Sequence, residues 1–202
     1  MSELLKRLAY LVSGWTCVGL VYCGSLLLQG KPTLINYSQI DLLIPFNYHV
    51  VWIYLSFFVI IPFGFFYAPY TKVRWMCFSF IAIAFITGLC FIIYPTVIMV
   101  PPVDTSFSLS SKVYQQLIEF DVNQNCFPSL HVSLTTIVVC GVLNIKHPII
   151  TIVMIIWGTM ICLSVIQLRR HVFMDLVGGI TLAIILGWLI HCWLKKHKEM
   201  NL

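Results

Sequence analysis

The stretch IITIVMIIWGTMICLSVIQLRRHVFMDLVGGITLAIILGWLIHCWL, Ile149 to Leu194, decides the fold. It contains two apolar runs, Ile149 to Leu168 and Val172 to Leu194, joined by the polar triplet RRH. Each run has about the 20 residues that an α-helix needs to cross a bilayer. The stretch therefore predicts two membrane-spanning helices with a very short polar connection between them.

The rest of the chain has the same character. Its 202 residues are 60% hydrophobic and 9% charged, with a mean hydropathy of +0.95, a balance that excludes an ordinary soluble domain. Four more apolar runs complete the set: Leu8 to Leu28, Val50 to Ala68, Trp75 to Val97 and Phe127 to Ile145. We therefore predict an all-α polytopic membrane protein, with one six-span helix bundle covering residues 1–202.

The positive charges indicate the orientation of the bundle, because cytoplasmic loops are enriched in Lys and Arg. When alternate connections are assigned to opposite sides, one side has eight of these residues and the other has four. The larger set is Lys6, Arg7, Lys72, Arg74, Lys146, Lys195, Lys196 and Lys198, and the smaller set is Lys31, Lys112, Arg169 and Arg170. Both termini are predicted to be cytoplasmic. Such short clusters between spans favour lipid headgroups, and not nucleic acid, as the partner of the net charge of +5.

Two longer connections fall on the predicted extracytoplasmic side. Gln29 to His49 alternates apolar and polar residues, and we expect it to lie along the membrane interface. Ile98 to Cys126 is predicted to form a lid or an interfacial segment with a short helix, Ser108 to Phe120. Its charged residues are Asp104, Lys112, Glu119 and Asp121.

Ionisable side chains near the ends of spans are functional candidates, because burying them in a membrane is costly. His131 lies near the start of the fourth predicted span, in CFPSLHVSL. His171 and Asp175 open the sixth, in RRHVFMD. The predicted topology brings these two distant segments to the same extracytoplasmic face.

His171 and Asp175 are four residues apart, which on a helix places them one turn apart on one side. A carboxylate that accepts the proton of one imidazole nitrogen fixes the tautomer and makes the other nitrogen a better nucleophile. The alternative is a structural ion pair at a helix end, which the isolated motif favours.

His131 strengthens the catalytic interpretation, because a second imidazole could protonate the leaving oxygen of a phosphate ester. The alternative is an interfacial histidine bonded to a neighbour. Pro128 suits the first turn of a helix, so the amides of Ser129 and Leu130 could face a phosphate oxygen, although Pro128 also fits simple helix initiation.

Arg169 and Arg170 directly precede His171 and could neutralise a phosphate dianion, or simply meet lipid headgroups. Two histidines and one aspartate would also serve as metal ligands. The sequence has no His-Glu-x-x-His motif and no cluster of carboxylates. Covalent histidine catalysis without a metal or cofactor is the more economical interpretation.

These motifs carry a family resemblance. CFPSLHVSL and the pattern S-x6-H-x3-D, Ser164 to Asp175, resemble the second and third signature motifs of the type 2 phosphatidic acid phosphatase superfamily. The Pro-Ser-Leu-His form and the tract Tyr94 to Asp104 are more similar to its inositol phosphorylceramide synthase and sphingomyelin synthase-like branch. The resemblance implies a six-helix bundle with its catalytic residues at the extracytoplasmic end.

The resemblance also implies roles for individual residues. His171 would be the nucleophile that forms a phosphohistidine, His131 the general acid and Asp175 the residue that orients His171. Ser129 would help to hold phosphate, and no metal would be needed.

The chain departs from the superfamily pattern at two places. The first motif, Lys-x6-Arg-Pro, is absent, and Ser164 is followed by Val165 where arginine is usual. Arg169, Arg170 or Lys112 would have to replace the missing cations. Arg169 is the first choice, because the synthase-like branch often has a cation two residues before the histidine.

The leading functional hypothesis is an enzyme of a bacterial inner membrane, or an equivalent membrane, that hydrolyses a lipid phosphate or diphosphate. Isoprenoid and glycerolipid phosphates rank first among the substrates, and membrane lipids are the other expected partners. A lipid phosphotransferase, with an alcohol in place of water as acceptor, is the alternative. A non-catalytic transporter or assembly subunit is a third, although no inverted repeat supports it.

Overall fold

Helices dominate the structure, because a chain surrounded by lipid must satisfy its backbone hydrogen bonds within each spanning segment. The computed structural model describes residues 2–106, 108–120, 124–143 and 147–199, with the backbone alone for residues 198 and 199. In chain order, its elements are α1 (Glu3–Leu28), β1 (Thr33–Ile35), α2 (Gln39–Leu43), a 3₁₀ turn (Tyr48–Val50), α3 (Val51–Leu55), α4 (Phe57–Tyr67), α5 (Tyr70–Ile93), β2 (Thr96–Ile98), α6 (Leu109–Phe120), α7 (Leu130–Val142), α8 (Pro148–Gln167) and α9 (Phe173–Glu199).

Within the described residues, five helical segments are long and apolar enough to cross a membrane: Glu3–Leu28, Tyr48–Tyr67, Tyr70–Ile93, Pro148–Gln167 and Phe173–His197. They agree with five of the six predicted spans, and the protein is an all-α, multi-pass membrane protein. The remaining predicted span coincides with α7, which has 13 residues. At 1.5 Å per residue, α7 is roughly 20 Å long, shorter than the hydrocarbon core of a bilayer. The predicted end of that span at Ile145, and the residues Asp121 and Lys146, lie outside the described residues.

The main apolar core is formed by side chains of α4, α5, α7, α8 and α9. Most residues of α7 are buried, so this short helix is enclosed by longer ones. By contrast, only 17% of the most apolar window of α1 is buried, which leaves most of that helix facing lipid. The bundle therefore has an inner helix, α7, whose first turn carries His131.

The structure contains two short strands, β1 and β2, that were not predicted from the sequence. The third span ends at Ile93, before the predicted Val97, because the residue before Pro95 is disfavoured in a helix. The chain then forms β2, which pairs in parallel with β1 in the register Thr33↔Thr96, Leu34↔Val97 and Ile35↔Ile98. This pairing ties the first long connection to the second at one end of the bundle.

Both long connections fold over the end of the bundle where α8 meets α9, which we call the catalytic end because the predicted catalytic residues lie there. The backbone amide of Asn47 donates to the Gln167 carbonyl at 3.0 Å. The predicted short helix is confirmed as α6, and its Tyr114 hydroxyl donates to the Leu168 carbonyl at 2.8 Å. Burial raises the pKa of Tyr114, so its hydroxyl stays a neutral donor. Both contacts are made at the C-terminal end of α8, to Gln167 and to Leu168, just before the RRH triplet.

Candidate active site

The turn between α8 and α9 is a Schellman motif with arginine where glycine is usual. The Arg169 amide donates to the Ile166 carbonyl at 2.9 Å, and the Arg170 amide donates to the Val165 carbonyl at 3.0 Å. Arg169 has a φ of 56°, in the left-handed backbone region that residues other than glycine rarely adopt. The His171 amide also donates to the Val165 carbonyl, at 3.2 Å, so the triplet is held tightly against the end of α8.

His171 and Asp175 are in contact, but not as the two predicted members of one helical turn. The helix α9 begins at Phe173, so His171 lies two residues before it. Asp175 is the third helical residue, and its Oδ2 atom accepts from the Val172 amide at 3.0 Å. The same oxygen is 3.3 Å from Nδ1 of His171. Both side chains are buried, and the contact leaves Nε2 as the second nitrogen of the imidazole.

His131, the second residue of α7, lies close to His171. The centroids of the two rings are 6.4 Å apart. The His131 ring packs against Tyr54 of α3 and Phe57 of α4, at centroid distances of 4.8 and 4.4 Å. Sequence segments 40 residues apart therefore bring two imidazoles within reach of a single phosphoryl group, given hydrogen bonds of about 3 Å.

A cavity of about 360 Å³ opens beside the two histidines. This size falls in the range of small-molecule sites, which start at about 300 Å³. Its polar wall contains His131, His171 and Arg170, together with Gln124 and Asn125. The rest of the wall is mainly apolar and comes from α1, α3, α4, α6 and α7: Trp15, Val18, Gly19, Tyr22, Tyr54, Phe57, Phe58, Leu117, Phe120, Leu130 and Leu134. The cavity thus combines a cationic end with an aromatic channel.

The two arginines of the triplet have different environments. Arg169 is directed away from this cavity, and its Nη1 and Nη2 atoms donate to the carbonyls of Asp41 and Ile44 at 2.7 and 2.8 Å. Its guanidinium also lies 5.0 Å from the centroid of the Tyr37 ring. Arg170 is buried in the cavity wall. The geometry therefore favours Arg170, and not the first choice Arg169, as the cation that meets a ligand.

Tyr37 stays a neutral phenol beneath Arg169. Burial raises the pKa of its hydroxyl to about 12, although the positive charge of Arg169 acts in the opposite direction. The hydroxyl donates to the Met99 carbonyl. The contact with Arg169 is therefore a cation–π contact and not an ion pair.

Ser129 and Lys112 lie outside the cavity wall. The Ser129 side chain is fully buried as the N-cap of α7 and accepts from the Val132 amide at 3.4 Å. Its own amide donates to the Asp175 carbonyl at 3.1 Å. Because α7 begins at Leu130, Pro128 precedes the cap and does not occupy the predicted first turn. Lys112 is exposed on α6.

Asp41 is a buried carboxylate of the catalytic end that sequence reasoning missed. Its Oδ1 atom accepts from the Phe173 amide, the first residue of α9, at 2.6 Å. Two features of the sequence could have drawn attention to it. Ser38 and Asp41 have the spacing of a helix-capping box, and Asp41 and Glu3 are the only acidic residues before Asp104.

No group of three or more His, Cys, Asp or Glu side chains in the described part of the chain is arranged to hold a metal ion. His171 and Asp175, beside His131, do not form such a group. Their roles stay predictions from the sequence.

A comparison with protein families gives one match. The family model described as the PAP2 superfamily matches residues 99–199, half of the chain. The chain belongs to the PAP2 superfamily. No curated protein and no solved structure matched it.

The PAP2 match spans α6 to α9. It includes His131, His171, Asp175, Arg169 and Arg170. Membership supports phosphatase or phosphotransferase chemistry on lipid phosphates, and therefore an enzyme. The family match does not reach α1, α3 and α4, which supply most of the aromatic wall of the cavity. The candidate reacting groups thus lie within the PAP2 region, and much of the channel that would accept the rest of a substrate lies before it.

Proposed function

We propose that this protein is a lipid phosphatase that hydrolyses a lipid phosphate or diphosphate through a phosphohistidine on His171. The observation that carries the proposal is the buried His171–Asp175 pair, of which His171 lines a cavity that His131 also lines. Asp175 occupies Nδ1 of His171, which leaves the lone pair of Nε2 for attack on phosphorus.

In the first step, a bond forms between Nε2 of His171 and phosphorus as the bond to the leaving oxygen breaks. His131 donates a proton to that oxygen, because an alkoxide is a poor leaving group. In the second step His131 accepts a proton from water, whose oxygen bonds to phosphorus as the bond between phosphorus and Nε2 of His171 breaks. Inorganic phosphate is released, and both histidines return to their starting states.

Arg170 is the group that balances the charge of the phosphoryl oxygens. Its guanidinium is buried in the same wall, where a charge interaction is less screened than in water. We propose that this chemistry needs no metal ion. Arg169 contributes indirectly, because its side chain is committed to the carbonyls of the first long connection.

The aromatic channel supports a substrate with an apolar chain. Trp15, which lines the cavity, lies 13 residues before the end of α1 at Leu28. Because an α-helix rises 1.5 Å per residue, Trp15 lies roughly 20 Å from Leu28 along the axis of α1, and the cavity extends to that depth. A lipid with its phosphate at the histidines would place its chain along this wall. From the excess of Lys and Arg at the opposite end, we propose that the catalytic end faces away from the cytoplasm.

The test is phosphate release by the detergent-purified protein from isoprenoid and glycerolipid phosphates and diphosphates, in the presence of a chelator. We expect wild type to release phosphate and His171→Ala to be slower by a factor of about 10³ or more. His49→Ala is the matched control, because His49 is an exposed histidine of the catalytic end outside the cavity wall.

Each outcome separates the alternatives. Release by His171→Ala at the wild-type rate would overturn the assignment of the nucleophile. No release by wild type, but transfer of a phosphoryl group to an added lipid alcohol, would identify a phosphotransferase. Activity that the chelator abolishes would contradict metal-independent catalysis.

A further inference from the structure

The start of α9 lacks a cap of its own. The residue before the helix is Val172, whose side chain has no atom that can accept a hydrogen bond. Two carboxylates replace the missing cap. Asp175 accepts from the Val172 amide, and Asp41 accepts from the Phe173 amide. These two amides immediately follow His171.

The Asp41 carboxylate is itself held in place from both sides. Its side chain is buried, and its Oδ2 atom accepts from the amide and the hydroxyl of Ser38 at 2.7 and 2.6 Å. Its Oδ1 atom is 2.6 Å from the Phe173 nitrogen. All three partners are donors, so both carboxylate oxygens accept hydrogen bonds and the side chain is held in a fixed frame.

The same short segment also holds the chain before His171. Arg169 donates to the carbonyls of Asp41 and Ile44. Residues 39–44 therefore contact the polypeptide at residue 169 and at residue 173, two positions on each side of the candidate nucleophile. A shift of this segment would move His171 relative to Asp175 and His131.

We propose that Asp41 is a positioning residue for the phosphohistidine reaction: it sets the attack geometry of His171 through the first turn of α9. This inference rests on the proposed function. Asp41 does not touch the substrate, since it is absent from the cavity wall. Its effect is transmitted through the Phe173 amide, while Asp175 acts on the ring of His171 directly.

Asp41→Asn is the test variant, because the amide oxygen still accepts from Phe173 while the carboxylate and both hydrogen bonds that Oδ2 accepts from Ser38 are lost. The expected result is a fall in kcat of about 10- to 100-fold, the scale of a small misplacement of reacting groups, with KM changed by less than about 3-fold. Asp104→Asn is the matched control. Asp104 is an exposed carboxylate of the other long connection, bonded to the nearby Ser106 amide, and this variant should match wild type.

A double-mutant cycle with Asp175→Asn separates positioning from a purely structural contribution. When Asp175 no longer orients the imidazole of His171, the position that Asp41 gives to the first turn of α9 should have little further effect on kcat. Asp41→Asn should then lower kcat by less than about 3-fold in the Asp175→Asn background. Equal fold-losses in both backgrounds would overturn the proposal.

Ser38→Ala provides a second variant if Asp41→Asn fails to fold. It keeps the carboxylate and its contact with Phe173 but removes the Ser38 hydroxyl. We expect a smaller loss of kcat that also disappears in the Asp175→Asn background. If wild type acts on no lipid phosphate, the proposed function fails. If wild type is active and Ser38→Ala has equal effects in both backgrounds, only the role of Asp41 fails.

Discussion

At the scale of single residues, the backbone conformation of the turn directs the side chains of Arg169 and Arg170 to different surroundings. Arg169 occupies the left-handed position of the Schellman turn, and its guanidinium contacts the segment that contains Asp41. Arg170 follows in the same turn, and its side chain lines the cavity. We infer that Arg169 stabilises the catalytic end and that Arg170 binds the anion.

Substituting each arginine by glutamine separates these contributions. Arg170→Gln should weaken inhibition by orthovanadate, a phosphate analogue, by roughly 10-fold or more, because a charge-assisted contact is lost. Arg169→Gln should lower the stability of the folded protein by about 1 to 3 kcal/mol, because bonds from a buried guanidinium are lost. Inhibition curves and thermal unfolding in detergent measure the two effects, and the reverse assignment of effects would contradict this division.

The sequence singled out the candidate reacting residues but did not predict their surroundings. His131, His171 and Asp175 could be singled out because ionisable groups at span ends are costly. The contact between Asp41 and Phe173 could not, because it joins residues 132 positions apart. Likewise, no rule of spacing distinguishes Arg169 from Arg170, since the difference depends on a φ of 56° at Arg169.

At the scale of elements, the closeness of α7 and α9 sets the site. The Ser133 hydroxyl donates to the Gly179 carbonyl at 3.0 Å, which joins the first turn of α7 to the second turn of α9. A Cβ atom at Gly179 would lie 2.7 Å from the Ser129 carbonyl oxygen. Glycine is therefore required here, because a backbone atom cannot move away as a flexible side chain can.

Gly179→Ala should separate the start of α7 from α9 and draw His131 away from His171. The expected result is a loss of phosphatase activity of about 10-fold or more, in line with the sensitivity of catalysis to small displacements. Gly30→Ala is the control, because a Cβ atom there meets nothing within 4 Å. Wild-type activity of Gly179→Ala would show that the close approach is not needed.

Helix existence was predictable where helix ends were not. The apolar runs identify the spans because lipid leaves the backbone few alternatives. The ends depend on local and remote contacts. Pro95 ends α5 before the predicted Val97. Ser129 caps α7, which begins at Leu130, three residues after the predicted Phe127. The strand pairing of residues 33–35 with residues 96–98 joins distant short segments, for which the sequence has no periodic signal.

At the scale of the whole molecule, the candidate catalytic groups and most of the apolar channel come from different parts of the chain. The family match covers residues 99–199, whereas α1 contributes Trp15, Gly19 and Tyr22 to the cavity wall. Because α1 faces lipid over most of its surface, its contact with the cavity is close to the bilayer. We infer that α1 affects which lipid chains fit and has little part in the chemical step.

Gly19→Leu tests this division of labour. Gly19 lines the cavity and a Cβ atom there meets nothing within 4 Å, so we expect a leucine side chain at this position to narrow the cavity. We expect kcat/KM for long-chain lipid phosphates to fall about 10-fold, with little change for a short-chain phosphate ester. Gly24→Leu has equally open surroundings on α1 but lies outside the cavity wall, and it should behave as wild type. Equal losses for long and short substrates would contradict a channel for the lipid chain.

The most direct measurement is the trapping of the covalent intermediate. Wild type is mixed with a lipid phosphate radiolabelled at phosphorus, quenched in alkali during the first turnover and digested for peptide mapping. The mechanism predicts an alkali-stable, acid-labile label on the peptide that contains His171, present in His49→Ala and absent from His171→Ala. A label on another side chain, or a first-turnover burst of phosphate release with no labelled protein at any time, would contradict it.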